Sequence, residues 1–353
     1  MSAARGPLSR HQGMPNKFNT ITALITALFL IGDQGIYAKS AGTKDARSVG
    51  NTTVKRGELW AAPADISSRN LFYGPGGRSH QPGKTFTFIK EDLHGTNPKF
   101  DVRDENGVRW KAKLGVESQP ETAASRLLWA VGYHADEDYF VDTLQLRDVP
   151  EHLRRAHDFI APNGTVYHLR LKRDEKGRKK IGTWSWRNGP FTGTREWNGL
   201  RVLMALINNW DLKDENNVIY EEHGERIYEV SDLGASFGTP GVLVSKIVAK
   251  GNLASFETSK FITRVTPEHV DFATPSLPSP LYVFNPWQYG RRARLRWIGR
   301  DIDRADARWI GQLLGQLSTS QLRDAFRAAG YSQVDVTAFV QALQKRIEEL
   351  KAL

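Results

Sequence analysis

The sequence predicts an α+β fold in two lobes, a small antiparallel sheet followed by a larger, mostly helical lobe. Three observations carry this reading. Residues 85–114 hold three short segments of alternating apolar residues parted by turn formers, the pattern of a strand meander. From Asp303 onward the chain turns helical, with amphipathic stretches. Between these regions lies a charged stretch, Asn209-Trp210-Asp211-Leu212-Lys213-Asp214-Glu215-Asn216-Asn217, set between an apolar-periodic helix and a short hairpin.

The composition bounds the answer. A chain of 353 residues favours about two domains. With 40% hydrophobic and 25% charged residues and 10 Trp, it has the makings of a sizeable core and is not a disordered chain. The absence of Cys excludes disulfides, thiolate metal sites, cysteine nucleophiles and a lipidated N-terminal Cys. The net charge of +10 is spread along the chain and reads as solubility and weak steering. No RNP-like or helix-turn-helix pattern appears, so nucleic acid is not favoured as a partner.

At the N-terminus Arg5, Arg10 and Lys17 precede the apolar run Ile21 to Gly32. That run suits a signal peptide and falls short of the ~20 residues a membrane span needs. A cut after Ala38 would leave no stable membrane span and an exported protein, periplasmic or extracellular; an uncut signal would leave it membrane-anchored. The expected organisation is a signal peptide over 1–38, a linker over 39–70, the small lobe over 71–160 and the large lobe over 161–353.

In chain order, Asn70 to Gly83 is rich in Gly and Pro and reads as a plain loop. Thr85 to Lys90, Lys99 to Arg103 and Val108 to Leu114 alternate as strands, with turns at His94 to Pro98 and Asp104 to Gly107. Pro120 to Gly132 predicts a helix, opened by Pro and closed by Gly. Tyr139 to Leu146 is the next strand. Val166 to Leu171 and Ile181 to Trp186 read as strands around Asp174 to Gly177, which makes the basic run Arg170 to Lys180 an exposed hairpin. Trp184 and Trp186 would share one face, in the core. Thr194 to Asn208 predicts a helix with Thr194 as N-cap and Trp197, Leu200, Met204 and Ile207 on one stripe. Val218 to Tyr220 and Arg226 to Val230 form a hairpin about His223-Gly224. Residues 242–290 show little periodicity, and Arg291, Arg292, Arg294 and Arg296 read as a solvated helix face first, with contact to a phosphate or an acidic substrate as the alternative. Ser318 marks a capped helix start, and Val334 to Leu350 a further helix.

The charged stretch reads as a phosphoryl-transfer site. Such chemistry needs positioning and charge neutralisation more than covalent help. Asp211 would orient and deprotonate a hydroxyl. Lys213 would neutralise the moving phosphate. Asn216 and Asp232 offer the oxygen donors that magnesium prefers, and the hairpin between them returns Asp232 beside Asn216.

The segment Asp211-Leu212-Lys213-Asp214-Glu215-Asn216 resembles the catalytic loop of the protein-kinase-like superfamily, and Asp232-Leu233-Gly234 resembles its D-F-G motif. Asn209-Trp210 stands where His-Arg is usual and Leu233 replaces Phe, departures that fit divergent branches such as HipA-like, CotH-like and secretory-pathway kinases. The resemblance implies a two-lobed kinase-like fold that uses ATP with Mg2+ or Mn2+. Lys113 would be the strand lysine on the phosphates and Glu121 its ion-pair partner, with Glu117 as fallback. The tip Gly95-Thr96-Asn97 would cover the phosphates. The implied partners are a nucleotide and a hydroxyl acceptor, whether protein, sugar or small molecule. A catalytically silent binding module and a nucleotidyl transferase are the alternatives the same residues leave open.

Overall fold

The computed structural model describes residues 57–353 apart from 96, 241–249 and 277–285, with the backbone alone of 286–288. The expected signal segment and the first part of the expected linker lie outside the described residues.

Five strands form the small lobe: β1 (Thr85–Asp92), β2 (Lys99–Asp104), β3 (Arg109–Leu114), β4 (Asp138–Arg147) and β5 (Thr165–Arg173). They close into a barrel in the order β1-β2-β3-β5-β4, and parallel pairing of Thr85 to Thr87 with Gln145 to Arg147 completes the ring. Strand alternation divides the side chains. Trp110, Ala112 and Leu114 of β3 and Leu169 and Leu171 of β5 fill the barrel interior. Lys111 and Lys113, with Lys172 and Arg170 opposite them in register, project from the other face.

Helix α1 (Ser118–Ala130) follows β3 and buries Ala123, Ala124, Leu127 and Leu128 in the core of the larger lobe. That lobe holds a second sheet of β6 (Arg178–Thr183), β7 (Asn217–Glu222) and β8 (Glu225–Val230). A third small sheet contains β9 (Ile262–Val265), β10 (His269–Phe272) and β11 (Ile302–Asp303). Its described helices are α2 (Arg195–Leu206), α3 (Leu253–Glu257), α4 (Pro286–Leu295), α5 (Arg304–Leu314), α6 (Thr319–Ala328) and α7 (Gln333–Lys351). The architecture is therefore α+β, a small strand lobe and a mostly helical lobe.

Capping follows the sequence closely. Thr194 accepts from Trp197 N at the start of α2, and Ser318 and Gln321 form a reciprocal capping box at α6. His223 (φ 48°) and Gly224 (φ 78°) both sit in the left-handed region, as a two-residue hairpin turn between β7 and β8 requires.

Four expectations need correction. The lobe break does not fall at 160: β5 pairs with β3 and β4, so the crossing is the short link 174–177 from β5 to β6. The basic run Arg170 to Lys180 is accordingly no hairpin, because its two strands belong to different sheets. Arg170 is buried in ion pairs on the outer barrel face, while Lys179 and Lys180 are exposed. Residues 57–70 do not behave as a linker. Leu59 and Ile66 are buried in the large core, Glu58 bridges to Ile227 and Trp60 to Tyr133. Finally, β6 ends at Thr183, so Trp184 and Trp186 lie beyond the strand; both are buried and meet edge to face at 4.9 Å.

Candidate active site

The site begins with a tight strand-to-helix junction. β3 ends at Leu114, Gly115 turns the chain with φ 94°, and Ser118 starts α1 with its Oγ donating to the carbonyls of Lys113 (3.1 Å) and Gly115 (2.9 Å). This fold-back sets Glu117 and Glu121, one helical turn apart, against the lysine on the strand they have just left. Lys113 Nζ lies 3.0 Å from Glu121 Oε2, 2.5 Å from Glu117 Oε2 and 3.0 Å from Asp232 Oδ1. The expected ion pair with Glu121 is thus present, and the fallback Glu117 joins it rather than replacing it.

Burial works against the Lys113 ammonium, but Glu121, Asp232 and Glu117 outweigh it and hold the pKa above the ordinary lysine value. Burial also opposes the Glu117 charge, yet Lys113 and Lys250 bring its pKa down to about 2. Asp232 is likewise lowered, by Lys113 against burial. Glu121 goes the other way: complete enclosure raises it against the pull of Arg170 and Lys113. Arg170 donates from Nη2 to Glu121 Oε1 at 2.8 Å and pairs through Nη1 with Asp138 at 3.2 Å, and burial pushes Asp138 up to about 7.

The second half of the site hangs from α2. Asn208 leaves the helix with φ 50°, and the buried Asn209 accepts through Oδ1 from Asp211 N at 2.9 Å. Asn209 therefore shapes the loop. Asp211 Oδ2 accepts from Lys213 Nζ at 2.8 Å, and Asn216 Nδ2 donates to the Asp211 carbonyl at 2.7 Å. Residues Asp214–Asn216 make a single 3-10 turn.

The loop and the Asp-Leu-Gly segment are laced together at both ends. Ser231 N donates to Asn216 O (2.9 Å) and Trp210 N to Ala235 O (3.2 Å). The hairpin register, Asn217 opposite Val230, makes this inevitable: the residues flanking it, Asn216 and Ser231-Asp232, must meet. Gly234 is needed for the approach, since a Cβ there would lie 2.7 Å from Glu117 Cβ.

From the tip between β1 and β2, Asn97 Nδ2 donates to Glu117 Oε2 at 2.5 Å, and Gly95 takes φ 72°. Thr96 lies outside the described residues. Two cations join that sequence reasoning missed. Lys250 pairs with Glu117 Oε1, and Lys99 sits opposite Lys113 in register, its pKa lowered by burial and by Lys113. Register along β2 would have found Lys99; nothing local announces Lys250.

Sequence reasoning also missed a polar cluster between barrel and second sheet. Lys172 pairs with Asp136 and donates to Tyr220 Oη at 2.9 Å, while Arg178 meets the buried Glu229 at 2.5 Å. Lys111, the other strand lysine, turns to Asp92 and Asp101. Beside these groups lies a cavity of about 300 Å³.

Oxygens of Glu117, Glu121 and Asp232 lie within 4.8 Å of one another, but Lys113 occupies their centre. The donors that suit a metal are Asn216, whose amide nitrogen is engaged and whose oxygen is left over, and the half-exposed Asp232 carboxylate. Both are hard oxygen donors and fit magnesium or manganese.

No family model and no curated protein matches the chain. Among solved structures it is similar to a Helicobacter pylori proinflammatory kinase, CtkA, at 9% identity and TM-score 0.44, over 77% of this chain and 98% of that one. It is also similar to the Golgi casein kinase, at 10% identity and TM-score 0.36, over 77% of this chain and 73% of that one. The Mn/ADP-bound form of the latter gives 10% identity and TM-score 0.33, with the same coverage. Likeness at this level assigns no role to any residue; those rest on the contacts above. What the motifs suggested along the chain meets in space around Lys113.

Proposed function

We propose that this chain is an ATP-dependent phosphotransferase that moves the γ-phosphoryl group to a hydroxyl, with a divalent metal and outside the cytoplasm. One observation supports this above the others: a buried lysine is clasped at once by two helix carboxylates and by Asp232, and Asp232 is laced to the Asp211 loop. The three carboxylates fix the ammonium in one place, and the Asp232 contact ties it to the Asp211 loop.

In this reading Lys113 meets the non-transferred phosphates, with Lys99 beside it, and the Asn97 tip lies over them. The 300 Å³ cavity, beside Lys111 two residues along the same strand face, takes the nucleoside. Asn216 and Asp232 would hold the metal, which when bound supplies charge neutralisation at the phosphates. Asp211 holds the acceptor hydroxyl and takes its proton as the new O–P bond forms. The bond from the γ-phosphorus to the bridging oxygen breaks, and its electron pair leaves on ADP. Lys213, beside Asp211, neutralises the transferred group.

Residues 1–38 as an export signal belong to the same proposal. Among the described residues no helix is long and apolar enough to cross a membrane.

The test is a thermal-shift titration with ATP, with and without Mg2+ or Mn2+, coupled to a transfer assay. Binding to the native state raises the midpoint with the logarithm of concentration. Asp211→Ala should keep that shift while transfer falls by about 10²–10⁴. Asp232→Ala should lose its metal-dependent part. Normal turnover in both variants would overturn the assignment.

A further inference from the structure

The larger lobe carries an arginine-lined face that the phosphoryl-transfer chemistry does not use. It surrounds a cavity of about 680 Å³ bordered by Arg187, Arg294, Arg296 and Arg300, with Tyr289 and Trp297 among its aromatic walls and Asp301 as its one carboxylate. Among the described residues none of these four guanidiniums makes an ion pair or a side-chain hydrogen bond. Arg300 is the most screened of them, since its charge reaches Asp271 and Asp301 borders the same cavity, but the face as a whole keeps an excess of positive charge.

The surface is built to present them. The Arg187 guanidinium lies 4.5 Å over the Trp297 ring, and Trp197 and Trp297 stack at 6.2 Å. Beneath them Arg201 donates to the carbonyls of Trp297, Ile298 and Arg300 and fixes the backbone that carries the outer arginines. A guanidinium laid flat on an indole keeps its N–H edge free for carboxylates. With its face so covered, Trp297 offers no open platform for a sugar ring, which favours a peptide over a glycan.

The face adjoins the Asp211 loop on both sides. Trp186, next to Arg187, donates from N to Asp214 Oδ1 at 3.2 Å. On α4, Arg291 Nη2 lies 3.9 Å from Glu215 Oε2, and Arg292 lies 4.4 Å over the ring of Trp210. A chain docked along these arginines therefore runs beside the residue that would receive the acceptor proton.

We propose that this face docks the acceptor, and that the acceptor is a polypeptide whose hydroxyl residue is flanked by acidic ones. The proposal rests on the phosphotransferase reading for the word acceptor, but its binding step is tested without turnover.

The probe is a fluorescein-labelled peptide carrying serine among glutamates, titrated with the full chain by anisotropy in the absence of nucleotide. Expected is binding that weakens steeply with salt. A matched peptide with lysines in place of glutamates should not bind. Arg187→Gln/Arg294→Gln/Arg300→Gln should weaken affinity at least about tenfold and leave the nucleotide thermal shift intact. The equally discharged Lys179→Gln/Lys260→Gln/Lys345→Gln should bind nearly as the parent does. Equal losses in both triple variants would reduce the effect to net charge and overturn the proposal. So would a sulfated oligosaccharide that needs these arginines while the glutamate peptide fails to bind. Loss of the nucleotide shift in the parent chain with peptide binding preserved would instead strike the phosphotransferase reading alone.

Discussion

Glu117 draws partners from three parts of the chain: the strand lysine Lys113, the tip amide of Asn97, and Lys250 from beyond Asp232. With its pKa lowered from 4.5 to about 2, its stabilising effect is fully present above pH 4.5 and is lost as the pH falls towards 2. Glu117→Gln should therefore cost about 2 kcal/mol at pH 7 and little near pH 2, read as urea-unfolding free energies across that range. Equal losses at both ends would show that the carboxylate charge is not what matters. The residues that form this centre differ in how legible they were. Asp211, Asn216 and Asp232 were picked out by local spacing, and Lys113 and Glu121 by the resemblance to kinases together with their places on a strand and in a helix's first turn. Lys250 and Asn97 reach Glu117 only through the folded path of the chain, which no local spacing records.

Among elements, the strap of residues 57–70 departs most from its sequence reading. Its only large apolar side chains are Leu59, Trp60 and Ile66, set among small and polar residues, so it resembles a linker. Its two anchors are nevertheless enclosed, Leu59 and Ile66 each at 2% exposure. Leu59→Ala should destabilise by about 2–4 kcal/mol, measured by denaturant unfolding, and should speed proteolytic cutting within the strap. A neutral effect would return it to linker status. Helices were read well because caps and periodicity are local: Thr194 and Ser318 act as sequence rules require. The placement of β5 was not legible, since alternation gives a strand its two faces but not its neighbours. Arg170 and Lys172 looked like solvated charge for the same reason, because their carboxylates at Asp138 and Asp136 arrive from outside their own strand.

For the whole molecule, the N-terminal proposal has a direct test. Residues 1–38 fused to a reporter active only outside the cytoplasm should give signal, and deleting Ile21 to Gly32 should abolish it. A signal that survives the deletion would remove export from the proposed function. The barrel has a further consequence for a chain without cysteine. Each of its five strands has a partner on both sides, through the parallel seam of Thr85 to Thr87 against Gln145 to Arg147. An open sheet of this size would expose two unpaired edges, ready templates for sticking to another copy. Ring closure shortens both by the three paired residues of the seam, so the small lobe limits edge-to-edge aggregation by hydrogen bonding, without a covalent cross-link.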